Sequence, residues 1–193
     1  MHNGGNLKED WMADLTGRMI GAMQADVKTF TEIEADTSAM GQAITVIVIA
    51  GVASLIGNIF RGGVVSGVMG LIASLLGYAL FSLMVYLIGV KVMPEPTTKA
   101  NFNETFRVVG FAASPGVFNI LAIIPYLGPL IGLLVWLWSL VIAVVAVREV
   151  LDYSNTGRAI IVCLIAGVIC IVIWLIVMVP ILAAAFMARA VTG

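Results

Sequence analysis

The chain has 193 residues, of which 61% are hydrophobic and 11% charged, with a net charge of −1 and a mean hydropathy of +1.10. Soluble domains carry about 25% charged residues, so an ordinary soluble enzyme and a disordered chain are both excluded. No surplus of Lys and Arg is available to neutralise phosphates, so no nucleic-acid partner is expected.

Residues 1–9 read as a loose tail around Asn3-Gly4-Gly5-Asn6. From Trp11 to Phe30 the apolar residues recur with a helical period. Trp11, Leu15, Met19, Met23, Val27 and Phe30 share one half of the wheel; Asp10, Asp14, Arg18 and Lys28 share the other, and Asp26 intrudes on the apolar side. This pattern predicts an amphipathic helix over about 11–30 lying in the membrane interface, anchored by Trp11, Met19 and Phe30. A helix packed against the protein's own spans is the alternative. An acidic connector follows, with Glu32, Glu34 and Asp36. No earlier apolar run suits a cleavable leader, so insertion is expected to rely on the first span.

Five stretches lack Asp, Glu, Lys and Arg: 40–60, 64–90, 108–124, 128–147 and 159–187. Roughly 20 apolar residues suffice to cross about 30 Å of hydrocarbon as a helix. The predicted fold is therefore an all-α integral membrane protein, with five transmembrane helices preceded by the amphipathic helix. Residues 1–39 form a cytoplasmic tail, 40–187 the membrane domain and 188–193 a C-terminal tail. Arg61-Gly62-Gly63 is read as a tight turn. The third stretch holds Pro115, Gly116 and Asn119, and reads as either a kinked span or a re-entrant segment. Pro125 to Pro129 is a turn, and Pro180 should kink the fifth span or end its regular part.

Basic residues set the orientation. Lys8, Arg18, Lys28, Lys91, Lys99, Arg107, Arg148 and Arg158 fall on one side of a five-span chain, against Arg61 and Arg189 on the other. The N-terminus is expected in the cytoplasm, the C-terminus outside, and the protein in the cytoplasmic membrane.

The second span carries Ser66, Gly70, Ser74, Tyr78 and Ser82 at four-residue spacing, with Gly77 beside them. Small residues so spaced let helices approach closely, which predicts a packing stripe. Glu104, Arg107, Arg148, Glu149, Asp152 and Arg158 crowd the expected cytoplasmic face. They are candidates for partner binding, set against the plainer reading of solvated flanks or a cluster that orders the loops. No charge falls inside the five apolar stretches, which argues against proton coupling. No nucleophile, base or metal set lies at depth, so neither catalysis nor a cofactor is expected. The lone His2 and the apolar thiols Cys163 and Cys170 add no metal site. A passive solute pathway would have to use Asn58, Ser74, Tyr78 and Asn119.

Three blocks resemble the Yip domain family, the multispanning Rab-GTPase-interacting proteins and their prokaryotic relatives. Gly77-Tyr78-Ala79-Leu80-Phe81 is similar to a family Gly-Tyr-x-x-Phe block. Phe106-Arg107-Val108-Val109-Gly110-Phe111-Ala112-Ala113-Ser114-Pro115 resembles the prokaryotic block at the third span. Val147 to Tyr153, followed by Thr156-Gly157-Arg158-Ala159, resembles the turn before the last span. The resemblance implies five spans with a cytoplasmic N-terminus and an outward C-terminus. The Asp-Leu-Tyr-Gly-Pro block of eukaryotic members is not found, so a Rab-type GTPase is not an expected partner. The expected role is that of a non-enzymatic scaffold, assembly or membrane-organising subunit. It would act through membrane lipids, other membrane proteins or its own copies. A passive transporter or channel component is the alternative.

Overall fold

A computed structural model describes the backbone of residues 7–124 and 126–192. Within them it describes the side chains other than 7–10, 13, 59–62, 65, 66, 178 and 180–192. Ser66 of the expected stripe, the outermost tails and Pro125 of the second turn therefore lie wholly or partly outside the described residues. The described chain is helical, with no strand. Its helices are α1 (Leu7–Met23), α2 (Val27–Ala35), α3 (Ala39–Tyr86), α4 (Phe102–Phe111), α5 (Gly128–Val150) and α6 (Thr156–Thr192). A π-helical turn (Leu87–Val92) extends α3, and a 3-10 stretch (Ser114–Ile123) extends α4. Five segments are long and apolar enough to cross a membrane: Ala39–Asn58, Gly67–Val92, Phe102–Ile123, Gly128–Val150 and Thr156–Val177.

The expected single helix over 11–30 is two helices. Ala25 takes a left-handed φ of 54°, and Asp26 caps α2. Its carboxylate accepts from the backbone N–H groups of Lys28 and Thr29 and from the Thr29 hydroxyl, at 2.8 Å for the last. An N-cap side chain must face orphan amides rather than a helix face, which is why Asp26 broke the amphipathic pattern.

The first two spans are two helical arms of α3 that meet in a turn at Gly63, where the sequence predicts one; its φ of 69° and ψ of 173° only glycine adopts without strain, and the arms pack on each other with Gly51 against Leu71 and Gly67 against Leu55. The third span begins earlier than expected, at Phe102. Asn101 and Glu104 form a reciprocal capping box: the Asn101 side chain accepts from Glu104 N–H, and the Glu104 carboxylate accepts from Asn101 N–H. Glu104 and Arg107 consequently lie inside the third spanning segment, correcting the expectation that no charge does. Pro115 has no N–H and cannot continue α4; it opens the 3-10 stretch instead. Helix α6 runs on past Pro180.

The buried core gathers at the end of the bundle that carries α1 and α2. Val46, Ile47, Val85, Val108, Phe111, Ile142, Val147 and Val150 are enclosed there together with Phe30 and Ile33. Lipid is as apolar as these side chains, so within the spans they stabilise through close van der Waals packing rather than through removal from water. The opposite half of the bundle is looser. In the second and fifth spanning windows only 17% of residues are buried.

Candidate functional site

Phe30 has no exposed surface and so does not serve as a membrane-interface anchor, while Met19 is partly buried against the same core. Of the three expected anchors only Trp11 is exposed, at 39%. The hairpin α1–α2 is instead strapped to the protein. Arg18 pairs with Asp36 at 2.8 Å and donates to Gln42 Oε1 at 2.7 Å, and Gln42 donates to Asp14. Trp138, midway along α5, donates its indole N–H to the Met23 carbonyl at 2.9 Å and stacks on Phe118.

Of the expected cytoplasmic charge cluster only Arg107 is buried; Glu104, Arg148 and Glu149 are partly buried, and Asp152 and Arg158 are exposed. Arg107 is 4% exposed. Its guanidinium donates to the carbonyls of Ile33 and Glu34, in the last turn of α2. Those carbonyls have no partner within their own helix and carry the negative end of its dipole. Glu104 is spent on capping α4. Arg148 donates to the Tyr153 carbonyl, and Arg158 pairs with Glu95 at 3.4 Å. Ser154 N–H holds the Glu95 carboxyl below its usual range. Thr97 and Thr98 donate to the carbonyls of Asp152 and Leu151. The buried Tyr153 hydroxyl reaches the carbonyls of Gly89 and Met93 beside the π-helical turn. The segments 93–101 and 148–158 and the end of α2 thus meet at one end of the bundle. Glu34 sits half-buried among them. Desolvation, then the nearby carboxylates of Asp152 and Glu104, push its carboxyl up to about 7; Arg107 opposes and Glu149 adds to the rise.

The packing stripe holds in part: Ser82 is fully buried, Tyr78 packs against the core, and the Ser74 hydroxyl lies 3.2 Å from where a Cβ on Gly51 of the first arm would stand. A Cβ placed on Gly70 or Gly77 would meet open space. Ser74 and Ser82 donate to carbonyls of their own helix, Leu71 and Tyr78. Close helix contact also joins the first arm to the 3-10 stretch: at Gly57 a Cβ would run into the Asn119 carbonyl oxygen and come 3.1 Å from the Ala122 side chain.

What the stripe does line is a cavity of about 510 Å³ in the looser half of the bundle. Both arms of α3, the 3-10 stretch and the first half of α5 surround it. Ser54, Asn58, Ser74, Tyr78, Asn119 and Ser139 bring polar groups to its wall, with Trp136 beside them. All four residues that a passive pathway would require are among these. Among the described residues, neither the Asn119 amide nor the hydroxyls of Ser54, Tyr78 and Ser139 has a side-chain hydrogen-bond partner in the protein. No Asp, Glu, Lys or Arg lines the cavity. Among the described residues no group of His, Cys, Asp and Glu could hold a metal. The sequence marked Asn58, Ser74, Tyr78 and Asn119 as polar at depth and Ser54 as part of the first span's packing surface, but nothing set Ser139 apart from other serines.

The Yip1 domain matches residues 20–186, from the second half of α1 into α6. The chain belongs to the Yip1 domain family. No curated protein and no solved structure matched it. Within this Yip1 domain protein the blocks that resemble the family hold the fold together. Arg107 ties α4 to α2, Gly110 lies against Ala43, and Tyr153 closes the turn before α6. The matched region takes in the last turn of α1 and all of α2 along with the five spanning segments.

Proposed function

We propose that this Yip1 domain protein is non-enzymatic and organises partners within the bilayer, as a scaffold, assembly or lipid-organising subunit. One observation supports this most: the open seam between the second and fifth spans. A cavity of about 450 Å³ lies there, walled by Ala73, Leu76, Gly77, Leu80, Cys170 and Trp174. Small residues flanked by large exposed ones suit the entry of another helix or an acyl chain. The charged end offers less to a partner, since Arg107, Arg148 and Arg158 are engaged in holding loops together. The proposed setting is the cytoplasmic membrane, with the charged end in the cytoplasm and the C-terminus outside.

Extraction into polymer nanodiscs, with counting of the lipids and membrane proteins retained per chain, tests this reading. Gly77→Trp fills the seam and should release a component that the native chain holds in fixed ratio. The second reading, a passive pathway, draws on the polar cavity. Proteoliposome flux of a small neutral solute, lost with Asn119→Leu and unaccompanied by any fixed-ratio component, would replace the first reading by the second.

A further inference from the structure

We infer that the polar cavity between the two arms of α3, the 3-10 stretch and α5 binds the uncharged, multiply hydroxylated headgroup of a membrane lipid. This rests on the reading of a membrane-organising protein and deepens it by naming a lipid class.

The chemistry of the wall selects the ligand. Asn58, Asn119, Ser54, Ser74, Ser139 and Tyr78 are neutral groups that can both donate and accept. A phosphate or ammonium brought here would lose water without meeting an opposite charge, which is strongly unfavourable. An apolar occupant would leave the Asn119 amide and three hydroxyls unsatisfied in a low-dielectric region. Hydroxyls on the ligand satisfy both constraints. The volume falls within the range of small-molecule sites, about 300–1,000 Å³, and the lining includes Trp136, an aromatic side chain of the kind that stacks on sugar rings.

The position selects a lipid over a free polyol. The cavity lies among spanning helices, and its rim residues Gly70 and Trp136 are exposed on the flank of the bundle. Val68, Met69, Ile72, Leu133 and Leu137 continue outward from that rim as exposed apolar surface. A headgroup entering sideways leaves its acyl chains on this surface. The cavity occupies the half away from α1 and α2, so on the expected topology the lipid comes from the outer leaflet.

Native mass spectrometry of the full chain tests this in a polyoxyethylene detergent, because a glucoside detergent would itself compete. The probes are monoglucosyl-dioleoylglycerol, dioleoylphosphatidylglycerol and free glucose. One copy of the glucosyl lipid should bind at least about tenfold more tightly than the phosphatidyl lipid or glucose. Gly70→Leu has room for its side chain, so it should fold normally and lose that binding; Asn119→Leu and Ser139→Ala should weaken it. Equal binding of the phosphatidyl lipid, equal binding of free glucose, or unchanged binding by a folded Gly70→Leu protein would each overturn the inference. Cys170→Trp fills the seam from α6, away from every residue that lines this cavity, and should leave glucosyl-lipid binding intact, so the cavity and the seam fail separately.

Discussion

Arg107 Nε donates to the carbonyl oxygen of Ile33 at 3.3 Å, across 74 positions of sequence. With its second bond, to the Glu34 carbonyl, it fastens the N-terminal hairpin to the third span. A buried guanidinium at a helix C-terminus satisfies orphan carbonyls and meets the negative end of the dipole together.

Arg107→Met should therefore lower stability by about 2–4 kcal/mol, since it removes two charge-assisted bonds from a buried place. Hydrogen exchange should speed up across residues 27–36 before it does in α5. Arg107→Lys, with one point charge in place of a fork, should recover only part of the loss. Unchanged protection of α2 in the methionine variant would show that the hairpin is held by its apolar contacts alone.

Glu34 sets a pH dependence at the same place. Its carboxyl, raised to about 7 in the folded protein from the ordinary value of 4.5, binds a proton more tightly when folded. The stability it contributes is present at acid pH and is lost as pH rises from about 4.5 through 7. Glu34→Gln should thus leave the melting temperature nearly unchanged at pH 4 and raise it at pH 8. Because the group is half exposed, the gain is about 1 kcal/mol or less, worth about 2–4 °C. A variant that melts like the native chain at both pH values would remove Glu34 from the account.

Two glycines separate close packing from open space. Gly57→Ala brings a methyl against the Asn119 carbonyl and should destabilise by about 1–3 kcal/mol. Gly70→Ala meets nothing and should stay within about 0.5 kcal/mol of the native chain. Thermal unfolding in detergent reads both. The reverse order would place the tight contact on the second span.

Topology has a direct test. In a background lacking Cys163 and Cys170, Lys99→Cys and Tyr126→Cys put thiols at opposite ends of the bundle. Tyr126 is 97% exposed. An impermeant maleimide added to intact cells should label only the Tyr126 variant. Labelling of the Lys99 variant would invert the orientation.

Much of this protein is determined by composition along the chain. Apolar runs of sufficient length dictate the spans, because hydrocarbon leaves the backbone no partner but its own helix. The five spanning segments fall close to the five charge-free stretches. The capping box at Asn101 and Glu104 was also written locally, though hidden by the neighbouring charges. What the sequence could not decide was which face of each helix meets which neighbour. Phe30 reads the same to a helical wheel whether it meets lipid or protein, since both are apolar. Gly70 and Gly57 read alike as small residues, yet one borders a cavity and the other touches a backbone carbonyl. Arg107 reads as a basic flank until α2 folds back to present its carbonyls. Only tertiary structure distinguishes these cases, because each depends on a partner far away in sequence.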